Sequence, residues 1–293
     1  MSYRFHGHEK VSDGIVRIAA EQFERIRTLR RGHIAGGERV HEIRKAIKKL
    51  RALLRLVRKN LPEHFFQRGN RSLRETGRAL APLRDAHVLA HTAGRLSRRF
   101  GRQAPTQFAA ARKLMAAEGD RVTAGSREAL ARAEGRLKKS RAHLAKWPVG
   151  NIGWEDAACG LAGSYRAARK AFATAQRDRR PGRLHEWRKR AKDFCYHLRL
   201  LCELWPPLMH ELARQVDDLT DFLGDDHDLT ALSMALGIGS DSNFKAVERI
   251  IGAQQKKLQK CAVALGGNIF AERPREFAHR MRGYAKTLKD RNA

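Results

Sequence analysis

Residues 40–62 read VHEIRKAIKKLRALLRLVRKNLP, and residues 184–206 read LHEWRKRAKDFCYHLRLLCELWP. The two align without a gap and are identical at nine of twenty-three positions, six of them His, Glu, Arg, Lys, Lys and Arg. A duplicated apolar stripe would report only a duplicated core. A duplicated cationic stripe reports a duplicated surface task. On a helical wheel of about 100° per residue, His41, Arg44, Lys45, Lys48 and Arg55 fall within about 60° of one line, with Ile43, Ile47, Leu50, Leu54, Val57 and Leu61 opposite. The second copy sets His185, Arg188, Lys189, Lys192 and Arg199 against Trp187, Ala191, Phe194, Leu198 and Leu201 in the same way. Each copy is thus an amphipathic helix with cations at nearly every turn over roughly 20 Å, a row suited to a linear polyanion rather than to one small phosphate.

Any single Lys or Arg here is accounted for as the solvated side of a helix whose other side is buried. The near absence of acids is not. Soluble helices usually mix Glu with Lys at a spacing of four, whereas these rows are flanked only by Glu42 and Glu186. Composition agrees: 60 Lys plus Arg stand against 31 Asp plus Glu, for a net charge of +29 and an isoelectric point near 11.0. An anionic partner is the default expectation for such a chain. With 293 residues, 42% of them hydrophobic, it can bury a sizeable core and is not a basic disordered tail. No stretch approaches the roughly 18 apolar residues of a membrane span, so membrane insertion is not expected. The amino-terminal MSYRFHGHEKVSDG lacks the apolar run of a signal peptide, which points to the cytoplasm. Cys159, Cys195, Cys202 and Cys261 form no Cys-x-x-Cys pair, and Cys195 and Cys202 lie about 10 Å apart along one helix, too far for a disulfide. Reduced thiols are expected.

Nearly every segment has helical periodicity. Helices are predicted over 9–30, 38–60, 63–100 with a break near Pro82, 107–146, 155–179, 183–204, 208–236, 242–265 and 275–289. WPVGNIGW at 147–154 is the clearest boundary. Val, Ile and Thr never alternate over a strand length. The expected fold is all α, with two bundles of about four helices each, over 1–148 and 152–290, packed into one domain. A second pair of words supports the duplication. LAPLRDAHVLAHTAGRL begins at Leu80 and TDFLGDDHDLTALSMAL at Thr220, so that Leu83, Asp85, His87 and Leu89 align with Leu223, Asp225, His227 and Leu229. Their offset is 140 against 144 for the basic helices, which fits one loop of different length inside a repeated unit.

The two basic helices, the LRDAHVL and LGDDHDL words, and SYRAARKAF at 164–172 together resemble the CHAD family, in order and across the whole chain. The resemblance implies a pseudo-twofold pair of helical bundles whose basic helices line a shared channel or surface that binds inorganic polyphosphate, in the cytoplasm and at polyphosphate granules. Carried over position by position, it implies a site of His41, Arg44, Lys45, Lys48 and Arg55 with His185, Arg188, Lys189, Lys192 and Arg199. The preceding helix adds Arg166, Arg169 and Lys170, and Arg17 is a further candidate in the first half. Lys49 and Arg51 become Asp193 and Cys195 in the second copy, so the halves are expected to contribute unequally. The acidic Glu-x-Glu-x-Lys strand of the triphosphate-tunnel domain fused to many relatives does not occur here, and that domain's catalysis is not expected of this chain.

Polyphosphate carries about one charge per phosphate and has no base to read. Arg forks can bridge neighbouring phosphoryl oxygens while Lys supplies point charge, and His41 and His185 can donate as imidazolium beside an anion. Other phosphate and sulfate anions share this chemistry. No cofactor, metal site or catalytic group is expected. His-Glu-x-x-Lys places Lys45 and Lys189 where a zinc motif needs its second histidine, and an ammonium cannot ligate zinc. Asp225, Asp226, His227 and Asp228 suggest a metal-dependent phosphohydrolase, but capping or ion pairing with the neighbouring basic helices explains them better. Nucleic acid is the second candidate partner. Aromatics make up only 7% of the chain and mostly occupy apolar wheel positions, which disfavours stacking on single strands, whereas a duplex would offer the same phosphate contacts.

Overall fold

The apolar stripe of the first basic helix organises everything around it. That helix, α2 (Gly36–Leu56), follows α1 (Val11–Arg31) and precedes α3 (Glu63–Ala79) and α4 (Ala81–Phe100). The computed structural model describes residues 3–31, 36–124, 126–150, 152–237 and 242–291. Ile43, Ile47, Leu50, Leu54 and Val57 are all buried, as the wheel requires, and each contributes about 1.5–3 kcal/mol by leaving water. This buried face holds α2 against α1, α3 and α4.

The chain continues through α5 (Pro105–Ala124), α6 (Ser126–Leu144), α7 (Trp154–Arg177), α8 (Pro181–Leu200), α9 (Pro206–Ala235), α10 (Lys245–Ile269) and α11 (Pro274–Arg291). The fold is all α, and no strand occurs among the described residues. The expectation of about four helices per half is corrected, among the described residues, to six before the WPVGNIGW break and five after it; Asn151 of that break lies outside the described residues. One cause is the single helix expected over 107–146. Two helices occupy it, with α5 packed on α4 and α10 and α6 packed on α3. Residue 125 between them lies outside the described residues. The break expected near Pro82 falls at Leu80, and Pro82 sits in the first turn of α4, where a missing N–H and a fixed φ do no harm. Pro181 and Pro206 open α8 and α9 in the same manner. The start of α7 is closed by Asp156, whose Oδ2 accepts from the Gly153 N–H at 3.0 Å.

The second basic helix is enclosed about as fully as the first. Besides its predicted apolar row, α8 buries Cys195, Tyr196, His197 and Leu200. It packs on α7 and α9 within its half and meets α2 across the halves, while α4 meets α9. The cross-half seam is specific. His197 Nε2 donates to Ala52 O at 2.9 Å, Arg55 pairs with Asp193 at 2.6 Å, and Asn60 Nδ2 donates to Asp156 Oδ1 at 2.8 Å. At Gly160, α7 crosses the end of α2 so closely that a Cβ would lie 1.9 Å from Leu56 O. One apolar cluster has members from Tyr3 to Leu288. A second joins α4 and α5 to α9 and α10 through Leu96, Phe108, Leu232 and Val247. The four cysteines are free thiols, Cys159 exposed and Cys195 and Cys202 buried. No helix is long and apolar enough, among the described residues, to cross a membrane.

Candidate functional site

Part of each cationic row comes together at the seam, where Arg188 and Lys192 of α8 act on Lys48 of α2. Lys48 of α2 is the meeting point. It is exposed, and among the described residues it makes no hydrogen bond or ion pair. Burial by the surrounding protein, then repulsion from Arg188, Arg44, Arg84 and Lys192, brings its pKa down to about 7. Water reaching the exposed ammonium weakens both the desolvation and the repulsion, and the downward direction is common to the two. Two of the four cations come from the second half.

Arg44 is half-buried, donates through Nη1 to Gly77 O of α3, and lies in the fields of Asp85 and Arg84, its pKa lowered mainly by burial. Arg188 lies flat against α9 where Gly224 leaves room, since a Cβ there would be 3.2 Å from Arg188 Nη2. The Arg188 Nε is buried without a hydrogen-bond partner. Its pKa is lowered by burial, against the pull of Asp228. His185 stacks obliquely on His227, ring centres 4.5 Å apart, and its Nδ1 is buried and unpartnered. Burial, then His227 and Arg188, push the His185 pKa down to about 4. Burial also lowers His41, with Arg84 and Lys48 adding to the effect and Glu42 opposing it. His227 is lowered by burial and by Arg188, Arg84 and Lys48. With no anion bound, these imidazoles are neutral near pH 7.

Arg84 and His227 are the residues the sequence reading missed. Arg84 reaches Asp85 at 3.2 Å and Asp228 at 3.6 Å, and its charge acts on His41, Arg44, Lys48, Arg188 and His227. Its counterpart at the 140 offset is Gly224, so a search for repeated cations passes over it. His227 was visible in the repeated word but had no reason to be placed beside His185.

The remaining sequence-predicted residues are placed as follows. Lys192 reaches Asp217 at 3.1 Å and Thr220 at 3.0 Å, and Arg199 pairs with the same Asp217 at 2.7 Å. Lys45 and Lys189 are exposed and pair with Glu42 and Glu186 at 3.5 and 2.7 Å. Arg55 is taken up by Asp193. Arg17 is held by Glu9 and Glu21 at 2.6 and 2.8 Å and donates to Arg4 O, which makes it a clamp on the amino-terminal segment. Arg169 donates to Phe270 O at 2.9 Å, Arg166 lines a groove with Glu272 and residues of α11, and Lys170 is exposed on the same helix. None of these last three is among the charges acting on Lys48.

The acidic word is used in ion pairs, Asp225 with Arg95 at 2.9 Å and Asp228 with Arg84. Among the described residues, no three His, Cys, Asp or Glu converge to hold a metal ion. The arrangement can place several charge-assisted donors around one extended anion. The family model for the CHAD domain matches residues 17–237. No curated protein matches the chain significantly.

Proposed function

The chain belongs to the CHAD family, and on that footing we propose that it binds inorganic polyphosphate in a recess between α2 and α8. The observation that carries the reading is Lys48, an exposed ammonium with four cations of both halves acting on it and, among the described residues, no carboxylate bound to it. Like charges this close repel unless an anion joins them. Arg44, Arg84 and Arg188 supply guanidinium forks and Lys48 and Lys192 point charge, while His41, His185 and His227 become donors as the anion raises their pKa values. In this reading the halves, 1–148 and 152–290, are pseudo-twofold equivalents within one domain, the protein is a binder rather than an enzyme, and it meets its ligand in the cytoplasm at polyphosphate granules. Arg188 Nε and His185 Nδ1, both buried without a hydrogen-bond partner, support binding.

Duplex DNA is the competing ligand. Polyphosphate is expected to displace DNA at a far lower phosphate concentration, and the reverse order would assign the recess to nucleic acid. The site is separated from bulk charge by comparing Lys48→Glu with Lys289→Glu, each changing the charge by the same amount on an exposed residue. Lys48→Glu is expected to weaken polyphosphate binding by about tenfold or more, the equivalent of one charge-assisted hydrogen bond. Equal affinities in the two folded variants would reduce the recess to a solvated basic face.

A further inference from the structure

The two halves carry the same basic row, yet their neighbouring helices treat it in opposite ways. On the second half, α9 turns Asp217 onto both Lys192 and Arg199; Glu186 holds Lys189 and Arg190 much as Glu42 holds Lys45 and Arg25 on the first, so the difference lies in Asp217. On the first half, Arg44, Lys48, Arg51 and Arg55 follow one another at spacings of four, three and four and so share about 60° of arc over roughly 16 Å. The helix laid beside them is α3, fixed by Arg44 on Gly77 O and by Arg51 Nε donating to Asn70 Oδ1 at 3.0 Å. Where α9 brings Asp217, α3 brings Arg74 and Arg78, both exposed. Their charges, after that of Arg55, act on Arg51, whose pKa burial and this repulsion lower to about 10. The carboxylate acting on Arg51 is Asp193, already engaged by Arg55. The surplus positive charge therefore continues out of the recess on one side only.

We propose that a long polyphosphate chain leaves the recess over the first half, along Arg51, Arg74 and Arg78, while the second half closes the recess and holds no outward track. This rests on the polyphosphate reading of the recess. A short phosphate chain fills the recess alone. A long one adds contacts on α2 and α3, which makes the first half the determinant of chain-length preference.

The test compares Arg74→Glu/Arg78→Glu with Lys286→Glu/Lys289→Glu, an equal charge change on exposed positions of α11, using tripolyphosphate and a long-chain polyphosphate as probes. For the long chain, the α3 variant is expected to lose about tenfold or more relative to the α11 variant, and its salt slope to fall by about two, one for each phosphate contact removed. Tripolyphosphate is expected to bind both variants alike. Equal long-chain affinity in the two variants overturns the track, as does an equal loss of tripolyphosphate and long-chain binding in the α3 variant. The recess reading has its own indicator: if Lys48→Glu leaves long-chain affinity unchanged, that reading fails rather than the track. Helical circular dichroism verifies that each variant is folded.

Discussion

Lys48 and His185 depart from ordinary lysine and histidine in the same direction, each with its charged form disfavoured. The Lys48 pKa is held below the usual lysine range, at about 7, by burial and by the cations around it. His185, at about 4, is uncharged. A bound polyanion favours the charged form of both, so binding takes up protons. For a group whose pKa is higher in the complex than in the free protein, affinity is full below the free value and falls as pH rises toward the bound one. Lys48 therefore predicts weakening of polyphosphate binding as pH rises above about 7, at constant ionic strength. His185 and its neighbours predict continued strengthening below pH 6. Calorimetry in buffers of different ionisation enthalpy is expected to show net proton uptake at pH 7, and Lys48→Met to reduce it. Uptake unchanged in that variant would remove Lys48 from the contact.

At the scale of elements, the seam between α2 and the second half depends on one missing side chain and one neutral imidazole. Gly160 allows α7 to pass against Leu56 O, and there the nearest atom is rigid backbone rather than a side-chain tip that could swing away. Gly160→Ala is expected to destabilise by about 1–3 kcal/mol, the usual cost of overpacking, despite alanine's better helix propensity. Urea unfolding measures this; a neutral or stabilising result would mean the crossing is slack. His197 is buried, bonded to Ala52 O and pushed by burial to about 4. Its folded-state pKa lies below the unfolded value of about 6.5, so the stability it supports is intact above pH 6.5 and declines as pH falls toward 4. His41, His185 and His227, also lowered, act in the same direction. Melting temperature is expected to fall across that window, and His197→Gln to flatten the decline after an initial loss of stability. Polyphosphate is expected to offset the part due to the recess histidines but not the part due to His197.

For the whole molecule, a net charge of +29 means that folding and binding are opposed and favoured by the same field. Self-repulsion destabilises the compact state, and an anion spanning both halves relieves it. Polyphosphate is therefore expected to raise the melting temperature at low salt, with the shift shrinking as salt rises because counterion release and screening act together. A melting temperature indifferent to polyphosphate at low ionic strength would contradict a ligand held between α2 and α8.

The sequence by itself determined the all-α class, the duplication, and the faces of α2 and α8, because a period of 3.6 residues and the separation of Ile and Leu from Lys and Arg are local properties of the chain. His41, Arg44, Lys48, His185, Arg188 and Lys192 were legible for that reason. Which of the cations keep their charge available was decided only by tertiary structure. Asp217 and Asp193 are far from their partners in wheel terms, and no periodicity says that one would bind Lys192 and Arg199 and the other Arg55. Arg84 came to act on Arg44, Lys48 and Arg188, and α3 set Arg74 and Arg78 where α9 sets Asp217, because helices from different parts of the chain pack side by side. Electrostatic fields act through space, so charges hundreds of bonds apart decide each other's state once the fold has brought them together.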